Sequence, residues 1–215
     1  MDAETARKLC DITSTFYREN ASSFSSTRRA SWAGWRRCLD EMGIGAEPSS
    51  DASAAASPGC ALPEGAAFAA GQIPRDPLRV LDVACGNGRF LRFLQEALPG
   101  AAIAYFAVDD CEQLARDGLA GDADNVAFQK LDIANSLIDG SIERAIEALP
   151  VDMAVCFGFF HHIPGADSRA ALLRALVKSV RLGGHVAVSL WQFAKSPELA
   201  AKAVEATAKA RVEYG

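Results

Sequence analysis

The stretch VLDVACGNGRF, residues 80–90, joins an apolar run to a pair of glycines. Its first half predicts a buried strand that carries one acid, Asp82. Gly86 and Gly88 then end the strand before a helical pattern begins, and glycine allows both unusual dihedrals and a close approach of the backbone to a ligand. The stretch predicts a sharp strand-to-helix turn. It leaves two alternatives open: a turn that is only structural, or a turn that a small molecule covers.

Four more strand–helix units follow this one along the chain. Strands are predicted at 78–84, 102–109, 126–133, 151–160 and 185–191. Helices are predicted at 88–98, 111–120, 141–149, 168–181 and 197–214, and Gly183 with Gly184 is expected to end the fourth. The strands are nearly continuous apolar runs, which indicates burial on both faces. Regular alternation of this kind predicts an α/β fold with a doubly wound, Rossmann-like and mostly parallel sheet.

The residues before this alternation divide into two parts. Residues 4–20 and the second half of SSFSSTRRASWAGWRRCLDEMG have helical patterns, so we expect an N-terminal helical cap over residues 1–45. Residues 46–77 are rich in Ala, Ser, Pro and Gly, a composition typical of a flexible linker. The core domain is then expected over residues 78–215.

Composition narrows the class of protein. The net charge of −5 does not favour binding to nucleic acid or to acidic membranes. The six cysteines include no CxxC pair, and Cys85 and Cys156 lie in apolar runs, so we expect free thiols in a reducing compartment and no metal site. The N-terminus lacks the apolar core of a signal peptide, and no apolar stretch is long enough to cross a bilayer. These features predict a cytoplasmic protein with no membrane partner.

The glycine spacing and two acids favour a nucleotide over the turn. The pattern is G-x-G-x-x-L, so the third glycine of a dinucleotide fingerprint is missing, and a nucleotide without a diphosphate is favoured over NAD. Asp109 ends the second predicted strand, where an acid can accept hydrogen bonds from ribose hydroxyls. Asp132 ends the third, where it can accept from an adenine amino group. Each acid alone would more often be a solvated strand end or a helix cap.

Four motifs now carry a resemblance. LDVACGNGRF, AVDD, KLDI and FGFFHHIP resemble, in order, the motifs of class I S-adenosylmethionine-dependent methyltransferases, over about residues 78–192. The resemblance implies S-adenosylmethionine as the cofactor and S-adenosylhomocysteine as the product. It implies that Asp82 and the Gly86–Gly88 backbone surround the methionine part of the cofactor. The implied set at this turn also includes Ala84 and Cys85.

The same resemblance assigns roles at the other strand ends. Asp109 would hold the ribose with Asp110 beside it, and Asp132 with the backbone of Ile133 would bracket the adenine. Two residues at the end of the fourth strand would face the sulfonium: Phe157 and Gly158.

The N-terminal stretch FYRENASSFSSTRRASW is similar to the segment before the core in tRNA wobble-uridine carboxymethyl methyltransferases. That likeness implies that Tyr17 and Arg28 fold over the cofactor and that Arg28 pairs with its carboxylate. The alternative for Arg28 is a surface arginine beside Arg29. The chain departs from that family in its long 46–77 segment and in ending one helix after the fifth strand. We therefore expect the last two strands of the family fold to be missing, either because the sheet is curtailed or because the chain is a fragment.

Candidate catalytic residues are few, because methyl transfer is an in-line displacement that depends mainly on positioning. A carboxylate acceptor needs no base, whereas an amine or hydroxyl acceptor would use a histidine. His161 is the candidate, and His162 is expected to cap a loop or bond to backbone. The stretch TRRASWAGWRR would contact nucleic acid, or it forms an amphipathic helix whose tryptophans dock on the core. We favour the helix.

The leading prediction is therefore an S-adenosylmethionine-dependent methyltransferase. The acceptor is unidentified: a tRNA wobble-uridine side chain or a small molecule. The alternatives are a module that binds the cofactor without transferring methyl, and an NAD-binding oxidoreductase, against which the missing third glycine argues.

Overall fold

The computed structural model describes residues 2–45, 77–119, 125–148 and 150–214. The predicted linker at 46–77 lies outside the described residues except for Pro77, which is exposed. The two predicted parts on either side of it, a helical cap and an α/β core, are both described.

Eight α-helices and five strands form the described parts of the chain. The strands are β1 (Leu78–Val83), β2 (Ile103–Asp109), β3 (Val126–Lys130), β4 (Val151–Cys156) and β5 (Val180–Val188). The helices are α1 (Ala3–Thr27), α2 (Ala33–Glu41), α3 (Arg89–Ala97), α4 (Glu112–Leu119), α5 (Ile133–Ile138), α6 (Ile142–Ala145), α7 (Ala166–Ser179) and α8 (Pro197–Tyr214). Two short 3₁₀ helices, Phe160–His162 and Phe193–Lys195, follow β4 and β5.

The five strands form one parallel sheet in the order β3-β2-β1-β4-β5. The prediction of a Rossmann-like, doubly wound sheet is confirmed. The order reverses between β1 and β4, which pair through Val80 with Met153 and Asp82 with Val155. In sheets of this kind ligands bind beyond the carboxyl ends of the strands at the point of reversal. The end of β1 is therefore the place where a site is expected.

Burial explains why the central strands are apolar throughout. All six residues of β4 are buried, and β1 is buried except at Arg79. One hydrophobic cluster lies on the face that α3 covers, where Phe90, Leu91 and Leu94 pack. Another lies on the face that α7 covers, where Leu172 and Leu176 pack. Helices on both faces are the reason that these strands do not alternate between apolar and polar residues.

The N-terminal helices pack on the core as a cap. α1 packs against α4 and α5 and buries Ala6, Cys10 and Ala21. α2 buries Trp35 and Leu39, which join the cluster around α3. The predicted amphipathic helix is thus confirmed for Trp35, whose ring is 3% exposed.

Several element boundaries differ from the sequence predictions, including the ends of β3 and β4, which stop at Lys130 and Cys156. α1 continues to Thr27, beyond the predicted end at residue 20. The predicted helix at 141–149 is only α6, and α5 precedes it without having been predicted. Gly183 and Gly184 do not end a helix, because α7 stops at Ser179 and both glycines lie inside β5. The pairing of β4 with β5 shifts register between Val151 and Met153, and this irregularity accommodates the glycines within the strand.

In the described part of the chain, no helix combines the length and the apolar character that crossing a membrane requires.

Candidate active site

A cavity of about 620 Å³ lies beyond the carboxyl ends of β1, β2 and β4. Its walls come from the turn after β1, the ends of β2 and β4, the start of α5, the residues after β5 and the N-terminal helices. Of the fourteen residues that the sequence analysis assigned to the site, thirteen line this cavity, and Gly88 does not. The volume is in the range of natural ligand pockets, about 300–1,000 Å³.

The turn after β1 has a left-handed backbone that the sequence explains. Gly86 and Gly88 have φ values of 54° and 63°, which glycine adopts at little cost. Ala84 has φ of 63° and is the single non-glycine residue with positive φ in the described ranges. A non-glycine residue in this region stores strain, a feature that clusters at functional sites. Ala84, Cys85 and Gly86 all line the cavity.

Gly88 has a packing role instead. A Cβ atom at Gly88 would lie 2.5 Å from Cδ2 of Leu119, so the glycine allows α3 to begin against the end of α4. A Cβ at Gly118 would meet the Asn87 carbonyl oxygen at 1.8 Å. Gly88 and Gly118 therefore allow the turn after β1 to pack closely against the end of α4.

Asp109 at the end of β2 holds the turn in place. Its Oδ2 accepts from the Gly86 amide at 2.8 Å, and its Oδ1 accepts from the Cys111 amide at 2.8 Å. Burial raises the pKa of Asp109, and the two amide hydrogen bonds oppose that rise. A carboxylate has about four acceptor positions, so two remain for a ligand. Asp110 beside it accepts from the Ser14 hydroxyl at 3.2 Å, which links α1 to this wall.

Asp82 is a buried acid with a neutral partner. It is 2% exposed, and the Tyr105 hydroxyl donates a hydrogen bond to its Oδ2. Burial raises the pKa of Asp82 to about 7, against the lowering effect of the Tyr105 hydrogen bond, while the charge of Asp109 raises it further. A group with such a pKa responds to any positive charge placed beside it in the cavity.

Asp132 lies two residues beyond the end of β3 and is the N-cap of α5. Its Oδ1 accepts from the Asn135 amide at 2.9 Å and its Oδ2 from the Asn135 side chain at 2.6 Å. The prediction that it ends a strand is wrong, because β3 stops at Lys130. Its hydrogen bonds are those of a helix cap, which was the alternative given for this acid. Asp132 also lines the cavity, together with Ile133.

Two arginines add positive charge to the cavity wall. The guanidinium carbon of Arg28 lies 4.2 Å from the centre of the Phe24 ring, and that of Arg89 lies 4.9 Å and 5.3 Å from the rings of Trp32 and Trp35. Within the described residues, neither arginine forms an ion pair with a carboxylate. Arg89 was not predicted from the sequence, and partial burial lowers its pKa, with a further contribution from Arg28.

Aromatic side chains form the wall at the end of β4. Phe157 packs edge-on against Phe90 at 4.9 Å and lies 6.5 Å from Trp32, measured between ring centres. Gly158 has φ of 78°, and a Cβ there would lie 3.2 Å from the Trp32 ring. The Gly158 amide donates to the Ser189 hydroxyl at 2.7 Å, which ties the end of β4 to the residues after β5.

Both histidines after β4 line the cavity. The Tyr17 hydroxyl lies 3.2 Å from Nε2 of His162, and the ring of His161 packs 5.1 Å from the Trp191 ring. Burial lowers the pKa of His162 to about 4, with a contribution from His161, and burial also lowers the pKa of His161. The structure differs from the expectation that His162 caps a loop or bonds to backbone, because the partner of its ring is the side chain of Tyr17 on α1.

Sequence reasoning missed several cavity residues. Trp32 was assigned to the core, but its ring is 37% exposed and lines the cavity. Arg89, Ser189 and Trp191 also line it. Arg89 follows the glycine turn directly, so its sequence position could have indicated that it lies near the site. The position of Trp32 depends on how the cap packs against the core, which the sequence pattern does not give.

Residues 81–186 match a family model described as a methyltransferase domain. No curated protein sequence matches the chain. Among solved structures, a DhpI–SAM–HEP complex is 18% identical with a TM-score of 0.48, and the match covers 84% of this chain and 64% of that one. An O-methyltransferase family protein from Burkholderia thailandensis is 18% identical with a TM-score of 0.46, covering 58% and 36%. A SAM-dependent methyltransferase from Aquifex aeolicus is 20% identical with a TM-score of 0.40, covering 54% and 57%. The chain thus spans just under two thirds of the DhpI chain.

Proposed function

We propose that the methyltransferase domain of this chain binds S-adenosylmethionine in the cavity at the end of β1 and transfers its methyl group to a separate acceptor. One observation carries the proposal: Asp109 at the end of β2 and Asp132, two residues beyond the neighbouring strand β3, line the same cavity as the left-handed turn at Gly86. The two acids have acceptor positions for a nucleoside, and the matched family model supports methyl transfer as the reaction.

The residues present fit this cofactor. Arg28 lines the cavity and has a guanidinium that no carboxylate in the described chain neutralises, so it is suited to the carboxylate of the methionine part. Asp82 lies on the same side as the turn and would face the ammonium group. Asp109 would accept from the ribose hydroxyls, and Asp132 with the Ile133 backbone would contact the adenine. Phe157 and Gly158 would face the sulfonium.

When bound, the cofactor supplies a methyl group that its sulfonium already activates. The chain's own residues then have to hold an acceptor in line with that group and to exclude water. Phe157, Trp32 and Trp191 provide apolar surface around that position. His161 is suited to accept a proton from an amine or hydroxyl acceptor, because burial lowers its pKa and keeps the imidazole neutral near pH 7.

The positions of the two tryptophans favour a small-molecule acceptor over tRNA. A nucleic-acid surface would present the tryptophans of TRRASWAGWRR to solvent for stacking on bases. In the structure Trp35 is buried and Trp32 faces the cavity. Trp35 is therefore not available for stacking on a base, and Trp32 is placed to contact a ligand of the cavity.

Calorimetry with S-adenosylhomocysteine and with NAD tests the cofactor. We expect binding of S-adenosylhomocysteine and none of NAD, and the reverse result would move the chain to the oxidoreductases. Transfer of labelled methyl to a small-molecule extract, compared with bulk tRNA, tests the reaction. Label in neither fraction, from protein that binds S-adenosylhomocysteine, would leave the chain as a cofactor-binding module.

A further inference from the structure

We propose that Arg89 binds an anionic group of the methyl acceptor, so that the acceptor is a small carboxylate or phosphate compound. This inference rests on the proposed function and adds the substrate class. Arg89 is the first residue of α3, directly after the glycine turn, and it lines the cavity.

The cavity wall carries two cationic side chains. Arg28 and Arg89 both line the cavity, and neither has an acid partner among the described residues. They are close enough that the charge of Arg28 lowers the pKa of Arg89. S-adenosylmethionine has one carboxylate, which neutralises one guanidinium. A second cation held near the first is stabilised by a second anion.

The two arginines face different sides of the cavity. Arg28 lies over Phe24, which packs with Tyr17 and with the cluster of Cys111 and Leu114 at the start of α4. That is the side of β2, where the nucleoside is proposed to bind. Arg28 is therefore the cation on the cofactor's side.

Arg89 belongs to the other side. Its guanidinium lies over the Trp32 ring, and the same ring lies near Gly158 and Phe157 at the end of β4. Arg89 Nη1 also donates to the Ala30 carbonyl at 3.3 Å, which holds the side chain between the cap and the core. An anion at Arg89 would place the rest of the acceptor along Trp32, with its far end beside Gly158. This is the end at which the sulfonium is proposed to lie.

Fluorine NMR of two small anions tests this assignment. Monofluorophosphate represents a tetrahedral anion and trifluoroacetate a planar one, and line broadening detects weak binding of either. The titration is made on the full chain saturated with S-adenosylhomocysteine, and again with 5′-methylthioadenosine, which lacks the carboxylate. We expect the chain to bind one anion, at Arg89, in the S-adenosylhomocysteine complex. In the 5′-methylthioadenosine complex we expect it to bind two, because no carboxylate of the ligand then pairs with Arg28. A preference for either probe supports the site and identifies the acceptor's anionic group.

Three variants complete the test. Arg89→Gln should weaken anion binding in the S-adenosylhomocysteine complex at least tenfold, and Arg89→Lys should weaken it less, because it keeps the charge without the planar fork. Arg36→Gln is the matched control, since Arg36 is exposed on α2 and does not line the cavity. It should bind the anion as the unaltered chain does.

Two results would overturn the assignment. Equal anion affinity in Arg89→Gln and the unaltered chain would remove Arg89 from the site. Loss of all anion binding once S-adenosylhomocysteine is present would show that both arginines hold the cofactor's carboxylate. Failure of the proposed function gives a different result, because S-adenosylhomocysteine itself would then fail to bind in calorimetry.

Discussion

The Tyr17 hydroxyl on α1 lies 3.2 Å from Nε2 of His162, which follows β4. The contact joins the N-terminal cap to the wall of the core and closes the cavity on one side. Because burial lowers the pKa of His162 to about 4, the imidazole is neutral near pH 7 and Nε2 can accept from the phenol. Burial also raises the pKa of Tyr17, so the phenol keeps its proton and donates.

Replacing Tyr17 by Phe tests this link between cap and core. The ring keeps its edge contact with Phe24, whose centre lies 5.1 Å away, and only the hydroxyl is lost. We expect an affinity for S-adenosylhomocysteine about fivefold lower, the effect of one hydrogen bond worth about 1 kcal/mol. Calorimetry measures it. Thr15→Ala removes a hydroxyl from the same helix at an exposed position outside the cavity lining and should leave the affinity unchanged.

Asp109→Asn should weaken cofactor binding about ten- to hundredfold, which corresponds to about 1.4–2.8 kcal/mol. Both carboxylate oxygens accept hydrogen bonds from backbone amides, whereas Asn has only one side-chain oxygen that can accept, because its amide nitrogen is a donor. The turn at Gly86 then loses a hydrogen bond in addition to the ribose contact. Asp110→Asn is the comparison, because the Asp110 carboxylate accepts from the Ser14 hydroxyl and holds no backbone amide of the turn in the described part of the chain. Equal losses in the two variants would contradict the ribose role of Asp109.

Asp132→Ser separates the two roles of Asp132. Serine is about as good an N-cap as aspartate, so α5 should form and the unfolding midpoint should change little. Its shorter side chain does not extend to an adenine amino group, and S-adenosylhomocysteine should bind about fivefold more weakly, the effect of one hydrogen bond of about 1 kcal/mol. S-inosylhomocysteine lacks that amino group and should bind both proteins alike. A parallel loss for the inosine compound would assign the effect to the helix rather than to the base.

Arg28→Ala should weaken S-adenosylhomocysteine more than 5′-methylthioadenosine, by about tenfold, the effect of a charge-assisted hydrogen bond of about 1.5 kcal/mol. The reason is that only the first ligand carries the carboxylate that Arg28 is proposed to bind. Arg29→Ala is the matched control, since Arg29 is adjacent and exposed but does not line the cavity. Equal losses for both ligands would show that Arg28 has no part in carboxylate binding.

The parts of the fold that follow from local pattern were predicted from the sequence. β1 and β4 are apolar runs with helices on both sides, and the glycine turn after β1 marks the start of α3. The acids at the strand ends were placed near one another because parallel strands end at one edge. Local pattern did not predict α5, because six residues are too few for a helical period.

The remaining features depend on packing between distant segments. Gly183 was assigned as a helix stop, although the register shift against β4 lets it lie within β5. Trp32 was assigned to the core, and its exposure to the cavity depends on the position of the cap relative to Gly158. The Tyr17–His162 pair joins residues that are 145 positions apart, and no sequence spacing indicates such a contact.

The ionisation of Asp82 should make stability depend on pH. Its pKa is about 7 in the folded chain and 3.8 when it is solvated, so the folded state holds a proton that the unfolded state has lost between these values. The free energy of unfolding therefore falls as pH rises from about 4 to about 7, by about 1.4 kcal/mol for each unit of pKa difference. Asp82→Asn is neutral throughout and can still accept from the Tyr105 hydroxyl.

Urea unfolding at pH 5 and pH 8 measures this contribution. The quantity to compare is the free energy of unfolding of Asp82→Asn minus that of the unaltered chain. This difference should be more positive at pH 8 than at pH 5, by about 2–3 kcal/mol, because only the unaltered chain loses stability over this range. Taking this difference cancels the other groups that titrate in both proteins. Asp40→Asn is the control, because Asp40 is exposed on α2 and its substitution should give the same difference at both pH values. A pH-independent difference for Asp82→Asn would show that Asp82 stays ionised inside the fold, held by the Tyr105 hydroxyl against the effect of burial.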